Sequence, residues 1–194
     1  MKGKYLMIGI AGLMIMSGCK KESEKNPVND HLKMSYTVVN VELKSWTSKG
    51  IDIDGDNKKD FAFEVFPIGD PVQQRDKYKF YAYSTIHTSL LSDDLDFPPM
   101  LEKGETVKPV HPGYAWWPVT ASELAQKVVP VNGPIFWEGV FKNASKKYLP
   151  MKMTKNDLEY FGWIEISIDQ AESKLIVHRI ALSTEAGKVV KTGF

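Results

Sequence analysis

The sequence predicts an all-β protein, an antiparallel β-sandwich with one short helix. Three observations predict it. Apolar residues repeat with period two along most of the chain, turn-forming Gly, Pro and Asn interrupt those runs at short intervals, and one segment alone carries a clear helix start. Period two over four to eight β-branched and aromatic residues marks a strand with one buried face. Many short strands with scarce helix fit two sheets that cover each other.

The chain opens with an expected signal peptide, residues 1–18. Lys2 and Lys4 form a basic start, residues 5–16 are apolar, and the small Ser17 and Gly18 precede Cys19. That apolar run falls short of the roughly 20 residues a membrane span needs. Met16-Ser17-Gly18-Cys19 resembles the bacterial lipobox, with Met where Leu is usual. The resemblance implies cleavage before Cys19 and acylation of its thiol and new amine. Several acyl chains anchor firmly, because each buried CH₂ contributes about 0.8 kcal/mol and one chain alone is marginal. Cys19 is the only cysteine, so it is neither a disulfide partner nor a candidate catalytic thiol.

Residues 19–33 read as a lipid-anchored flexible tether, because Lys20-Lys21-Glu22-Ser23-Glu24-Lys25-Asn26-Pro27 offers nothing to bury. Charged residues directly after the cysteine resemble the export signals that send some Gram-negative lipoproteins to the outer face of the outer membrane. The expected location is therefore the outer membrane, facing the exterior. Losing Lys2 and Lys4 leaves 23 basic against 24 acidic residues, with no basic stripe, which excludes nucleic acid as an expected partner.

Residues 34–194 are expected to form a single β-sandwich domain, with no linker dividing them. Thr37, Val39, Val41 and Leu43 share one face of a first strand. Phe61, Phe63 and Val65 mark a second, and Tyr78, Phe80 and Ala82 a third. Ile164, Ile166 and Ile168 alternate with polar residues, and Ile176, His178, Ile180 and Leu182 form a further set. Breakers fall between them at Gly69-Asp70-Pro71, Phe97-Pro98-Pro99, Pro112-Gly113 and Gly133-Pro134. Thr120-Ala121-Ser122-Glu123 has the capping-box pattern, which predicts a short helix through Lys127 that Pro130 would end.

Asp52, Asp54, Asp56 and Asp60 fall at positions one, three, five and nine of a tight loop. An EF-hand loop places oxygen ligands there and uses the carbonyl at position seven, here Lys58. Four acids this close repel unless a cation joins them, so Asp52, Asp54, Asp56, Lys58 and Asp60 are the expected ligands of a structural calcium ion. Position six, normally Gly with positive φ, is Asn57, the residue that best tolerates that region after glycine. Phe63 at position twelve cannot supply the bidentate carboxylate, and the flanks read as strands. The expected site is a weak calcium clip, roughly 10⁻⁴ to 10⁻³ M, at a strand turn.

Other chemistry is sparse. The four histidines lack zinc-site spacing, and His178 reads as a hydrogen-bonded structural residue. No nucleophile elbow or phosphate-cradling loop occurs. Acids among Asp93–Asp96, Glu102, Glu105 and Glu138 could pair as a glycosidase does. Tyr114, Trp116 and Trp137 lie near Gly-Pro breakers, where rings can stack on sugars. Core burial is the favoured reading for these rings, with Trp116 the best candidate for exposure beside a buried Trp117.

Leu101-Glu102-Lys103-Gly104, Trp137-Glu138-Gly139, Lys147-Tyr148-Leu149-Pro150-Met151-Lys152, Tyr160-Phe161-Gly162-Trp163-Ile164 and Gly187-Lys188-Val189-Val190 follow the acidic loop in order. Together they resemble a broad group of secreted, mostly uncharacterised bacterial proteins. The resemblance implies a jelly-roll-like sandwich and carries no activity with it. The expected function is a lipid-anchored, surface-exposed, non-enzymatic binding or accessory module for a glycan or surface protein. The alternative is a polysaccharide hydrolase working through a carboxylate pair.

Overall fold

A computed structural model describes residues 33–194; the expected signal peptide, Cys19 and nearly all of the tether lie outside the described residues. In chain order the strands are β1 Met34–Leu43, β2 Thr47–Ile51, β3 Phe61–Asp70, β4 Arg75–Ser84, β5 Thr88–Ser92, β6 Thr106–Val107 and β7 Ala115–Pro118. They continue with β8 Ala121–Pro130, β9 Phe136–Glu138, β10 Lys147–Lys155, β11 Leu158–Asp169, β12 Lys174–Ser183 and β13 Val190–Lys191. All pairings are antiparallel. A six-stranded sheet runs β1-β12-β11-β10-β5-β7, a five-stranded sheet runs β2-β3-β4-β8-β9, and β13-β6 form a small ribbon. Consecutive strands stay side by side in the meanders β2-β3-β4 and β10-β11-β12.

The expected strands are present, and the two sheets share the main core. Phe61, Phe63, Val65 and Phe80 of the five-stranded sheet meet Leu90, Leu149, Met151, Ile164 and Ile166 of the six-stranded one, all fully buried. At about 25 cal/mol per Å² of apolar surface, each such side chain contributes roughly 1.5–3 kcal/mol.

The expected set Ile176, His178, Ile180 and Leu182 divides in two. Register shifts between Glu165 and Ile166 on β11, making His178 the extra residue of β12. Leu175 and Val177 therefore face the core before the bulge, and Ile180 and Leu182 after it. His178 turns to Ser167, with Nε2 2.8 Å from Oγ.

No helix is present among the described residues, so the expected helix at Thr120–Lys127 is corrected to strand β8. The capping groups serve strand contacts instead. Ser122 Oγ lies 3.0 Å from Ser92 Oγ, and Lys79 Nζ donates to Glu123 at 2.8 Å. Leu124, Ala125 and Val128 are buried, which no single capping box offsets. Beside the bulge at Leu124 the backbone of Gly139 packs too closely for a side chain, because a Cβ there would lie 2.6 Å from Ala125 Cα.

A second cluster lies on the outer face of the six-stranded sheet: Val107, Tyr148, Phe161, Trp163, Ala181 and Val190. Fully buried Trp163 donates its indole N–H to Lys191 O at 3.1 Å. Tyr148 meets it edge-on, and the Arg179 guanidinium lies 5.1 Å from its ring centre while also bonding Glu165. Thr192 ties the ribbon down through the Glu102 and Glu105 carbonyls. Most of the segments that carry the resemblance gather here, so their aromatic residues are architectural.

Candidate metal centre

The acidic loop joins β2 to β3. Two backbone residues turn it, Gly55 at φ 79° and Asn57 at φ 65°, so the asparagine adopts the conformation expected of position six. Asp52 accepts N–H bonds from Gly55 at 2.7 Å and Asn57 at 2.8 Å, one on each carboxylate oxygen. Asp60 Oδ2 accepts the Ile53 N–H at 2.7 Å, and the Asp60 carbonyl receives the Thr88 hydroxyl at 2.6 Å. Backbone donors thus fix two of the carboxylates before any ion arrives.

Asp52, Asp54 and Asp60 each place an oxygen within 4.8 Å of the others. Asp60 is 7% exposed. Burial pushes its carboxyl up, the charges of Asp54 and Asp52 add to that, and the Ile53 N–H opposes it. Asp56 departs from the expected ligand set. Its carboxylate accepts the Lys58 N–H at 2.8 Å and pairs with the Lys58 ammonium at 3.3 Å, which holds it below the usual range. The reason is local: a short acid two residues before a backbone donor closes its own turn. The Lys58 N–H and ammonium engage Asp56, and neither contact involves the Lys58 carbonyl oxygen expected as a ligand. Asp54 carries a competing cation, with Lys155 Nζ 2.9 Å from its Oδ2.

The remaining donor set is all oxygen, the chemistry that suits a hard cation. Asp52, Asp54 and Asp60 are the residues that would hold such a cation.

The expected aromatic ligands have other work. Trp137 packs on the main core with its ring 5.3 Å from that of Phe80. Trp116 covers the second cluster 5.8 Å from Phe161, its N–H donates to Pro109 O at 3.0 Å, and Lys152 lies over its ring. Trp117 is 52% exposed, which reverses the expected order of the pair. Trp116 stands opposite Leu91 and Trp117 opposite Leu90, so Trp117 shares the core-facing side, and its exposure follows from the place of β7 at the sheet's edge. Tyr114 is 38% exposed at the tip of the same loop.

The candidate catalytic acids hold turns or pairs. Asp93 Oδ1 accepts the N–H groups of Leu95 and Phe97, both at 2.9 Å. Glu102 pairs with Lys147, Glu105 accepts the Glu102 N–H, and Glu138 accepts from Gln126. Asp94 and Asp96 are exposed in the same turn as Asp93.

No protein-family profile, curated protein or solved structure matches the chain.

Proposed function

We propose that the protein is a lipid-anchored binding or accessory module at the outer-membrane surface, with a calcium ion clipping the β2–β3 turn. The observation that supports it best is the convergence of Asp52, Asp54 and Asp60 with Asp60 buried. Three like charges in one turn raise the free energy of the fold, and a divalent cation would remove that cost. The strand flanks leave no helix pair to open, so this ion holds structure and does not signal.

Titration calorimetry on the full chain tests the ion. One weak site is expected, and calcium at 100 times Kd should stabilise the fold by about 2.7 kcal/mol. Asp54→Asn and Asp60→Asn should each remove the titration and the calcium-dependent rise in melting temperature. An asparagine oxygen at position 60 still accepts the Ile53 N–H, so the variant folds. An unchanged titration in both variants would mean that no such site exists.

Anchoring through Cys19 has its own measurement. Labelled palmitate should enter the wild type and not Cys19→Ala, which should leave the membrane fraction. Labelling of Cys19→Ala at the wild-type level would sink this part of the reading.

A further inference from the structure

Trp46 sits in the turn between β1 and β2. Its N–H donates to Val65 O at 2.9 Å, and the Thr47 hydroxyl caps Lys44 O at 2.5 Å. The turn holds Trp46 at φ 64°, a region that bulky side chains rarely enter. Strain of this kind persists where the surroundings impose it, and it gathers at sites that act on something. Burial does not repay it here, because Trp46 is 72% exposed. The edge of Phe66 steadies the ring, with centroids 5.4 Å apart and planes at 82°.

Beside this indole lies a cleft lined by Ser45, Trp46, Ile68, Asp76 and Tyr78. Lys127 lies 5.8 Å from the centre of the Tyr78 ring and donates to Ser173 at 2.7 Å. Among the described residues, no hydrogen bond or ion pair engages the Ser45 hydroxyl, the Asp76 carboxylate or the Tyr78 hydroxyl. Arg75 and Lys77 share the one Asp70 carboxylate, at 3.2 and 3.4 Å.

We infer that this cleft binds an uncharged sugar chain, which rests on the binding-module reading above. A pyranose presents one C–H face and a rim of hydroxyls. The flat indole takes the face. Asp76 accepts two neighbouring hydroxyls in charge-assisted bonds, and Ser45 and Tyr78 each donate and accept. An acidic polymer would bring its charge against the Asp76 carboxylate, which has no cation paired to it among the described residues. The position also suits a polymer. β1 has ten residues, about 33 Å of strand, so the Trp46 turn lies at the far end of β1 from residue 33, where the expected tether ends.

Affinity electrophoresis of the full chain in detergent tests this, in gels containing β-glucan, xylan, mannan or galactan, with polygalacturonate as the acidic comparison. At least one neutral polymer should retard the wild type. Trp46→Ala and Asp76→Ala should each weaken that retardation at least tenfold, and Trp117→Ala, exposed elsewhere, should not. Trp46→Gly, which releases the left-handed strain, should lose binding while melting no lower than the wild type. Retardation that survives both Trp46→Ala and Asp76→Ala would overturn the cleft and leave the binding-module reading standing. Retardation by polygalacturonate alone would overturn the neutral class. No retardation in any gel would overturn the sugar assignment, whereas the calcium titration stands or falls independently.

Discussion

Gly162 has no room for a side chain: a Cβ there would lie 2.2 Å from the Ala181 carbonyl oxygen and 2.6 Å from Met151 Cε. Ala181 is a backbone neighbour on β12, so relief requires the central strands to part. Gly162→Ala should cost about 3 kcal/mol, read as a lowered urea midpoint at unchanged m-value. This constraint was half legible. The run Phe161-Gly162-Trp163 marks a glycine between two large rings, and only the β11–β12 pairing says what crowds it. Asn57 was legible in full, because a loop with fixed oxygen spacing demands positive φ at one position. Asp56 was not, since the same spacing serves a ligand or a self-closed turn. Trp46 left no mark at all in the sequence. Exposure and a left-handed φ single it out, and neither is periodic.

Strands were legible where one face repeats without interruption. Phe61, Phe63 and Val65 alternate because β3 lies between β2 and β4 and meets the opposite sheet on one side. Bulges were not legible, and each changes which residue faces inward. The His178 bulge moves β12 by one position, and the Leu124 bulge buries two successive residues of β8. The Thr120–Glu123 motif failed for a related reason. A capping box contributes about 1 kcal/mol to a helix start, whereas the β4–β8–β9 pairing buries Leu124, Ala125 and Val128 together. The Trp116–Trp117 pair posed the same problem at an edge. Two adjacent aromatic residues on a strand face opposite ways; pairing with Leu90–Leu91 sets the sides, and the edge position of β7 leaves Trp117 exposed on its side.

Stability of the whole molecule should fall as the solution is acidified from about pH 7 towards pH 5, because two histidines are held neutral by the fold. His111 Nε2 accepts the Lys108 N–H at 3.1 Å, and burial, then the Lys108 charge, lowers its pKa. His178 is lowered by burial first. Lys146 and Arg179 add to that, and Glu165 opposes it. In both cases the unfolded chain takes up its proton at higher pH than the folded one. Their contribution is complete above the ordinary histidine value near 6.5 and is lost as pH falls below it. Thermal melts at stepped pH should show this decline, and a His111→Gln, His178→Gln double variant should flatten it. A melting temperature that holds steady over this range in the wild type would refute the assignment. The two sites lie in different parts of the fold, on the loop above the second cluster and in the six-stranded sheet, so their effects should add.

Among the described residues, β1 forms one unpaired border of the six-stranded sheet, and its register breaks at Asn40, where φ is 46°. An unbroken border ten residues long, with Val38 and Tyr36 pointing into solvent, would offer a template for the same strand of another copy. Lipid anchoring, as proposed above, would collect many copies in one plane and multiply such encounters. The register break at Asn40 would interrupt such a template and so limit edge-to-edge growth in an anchored layer.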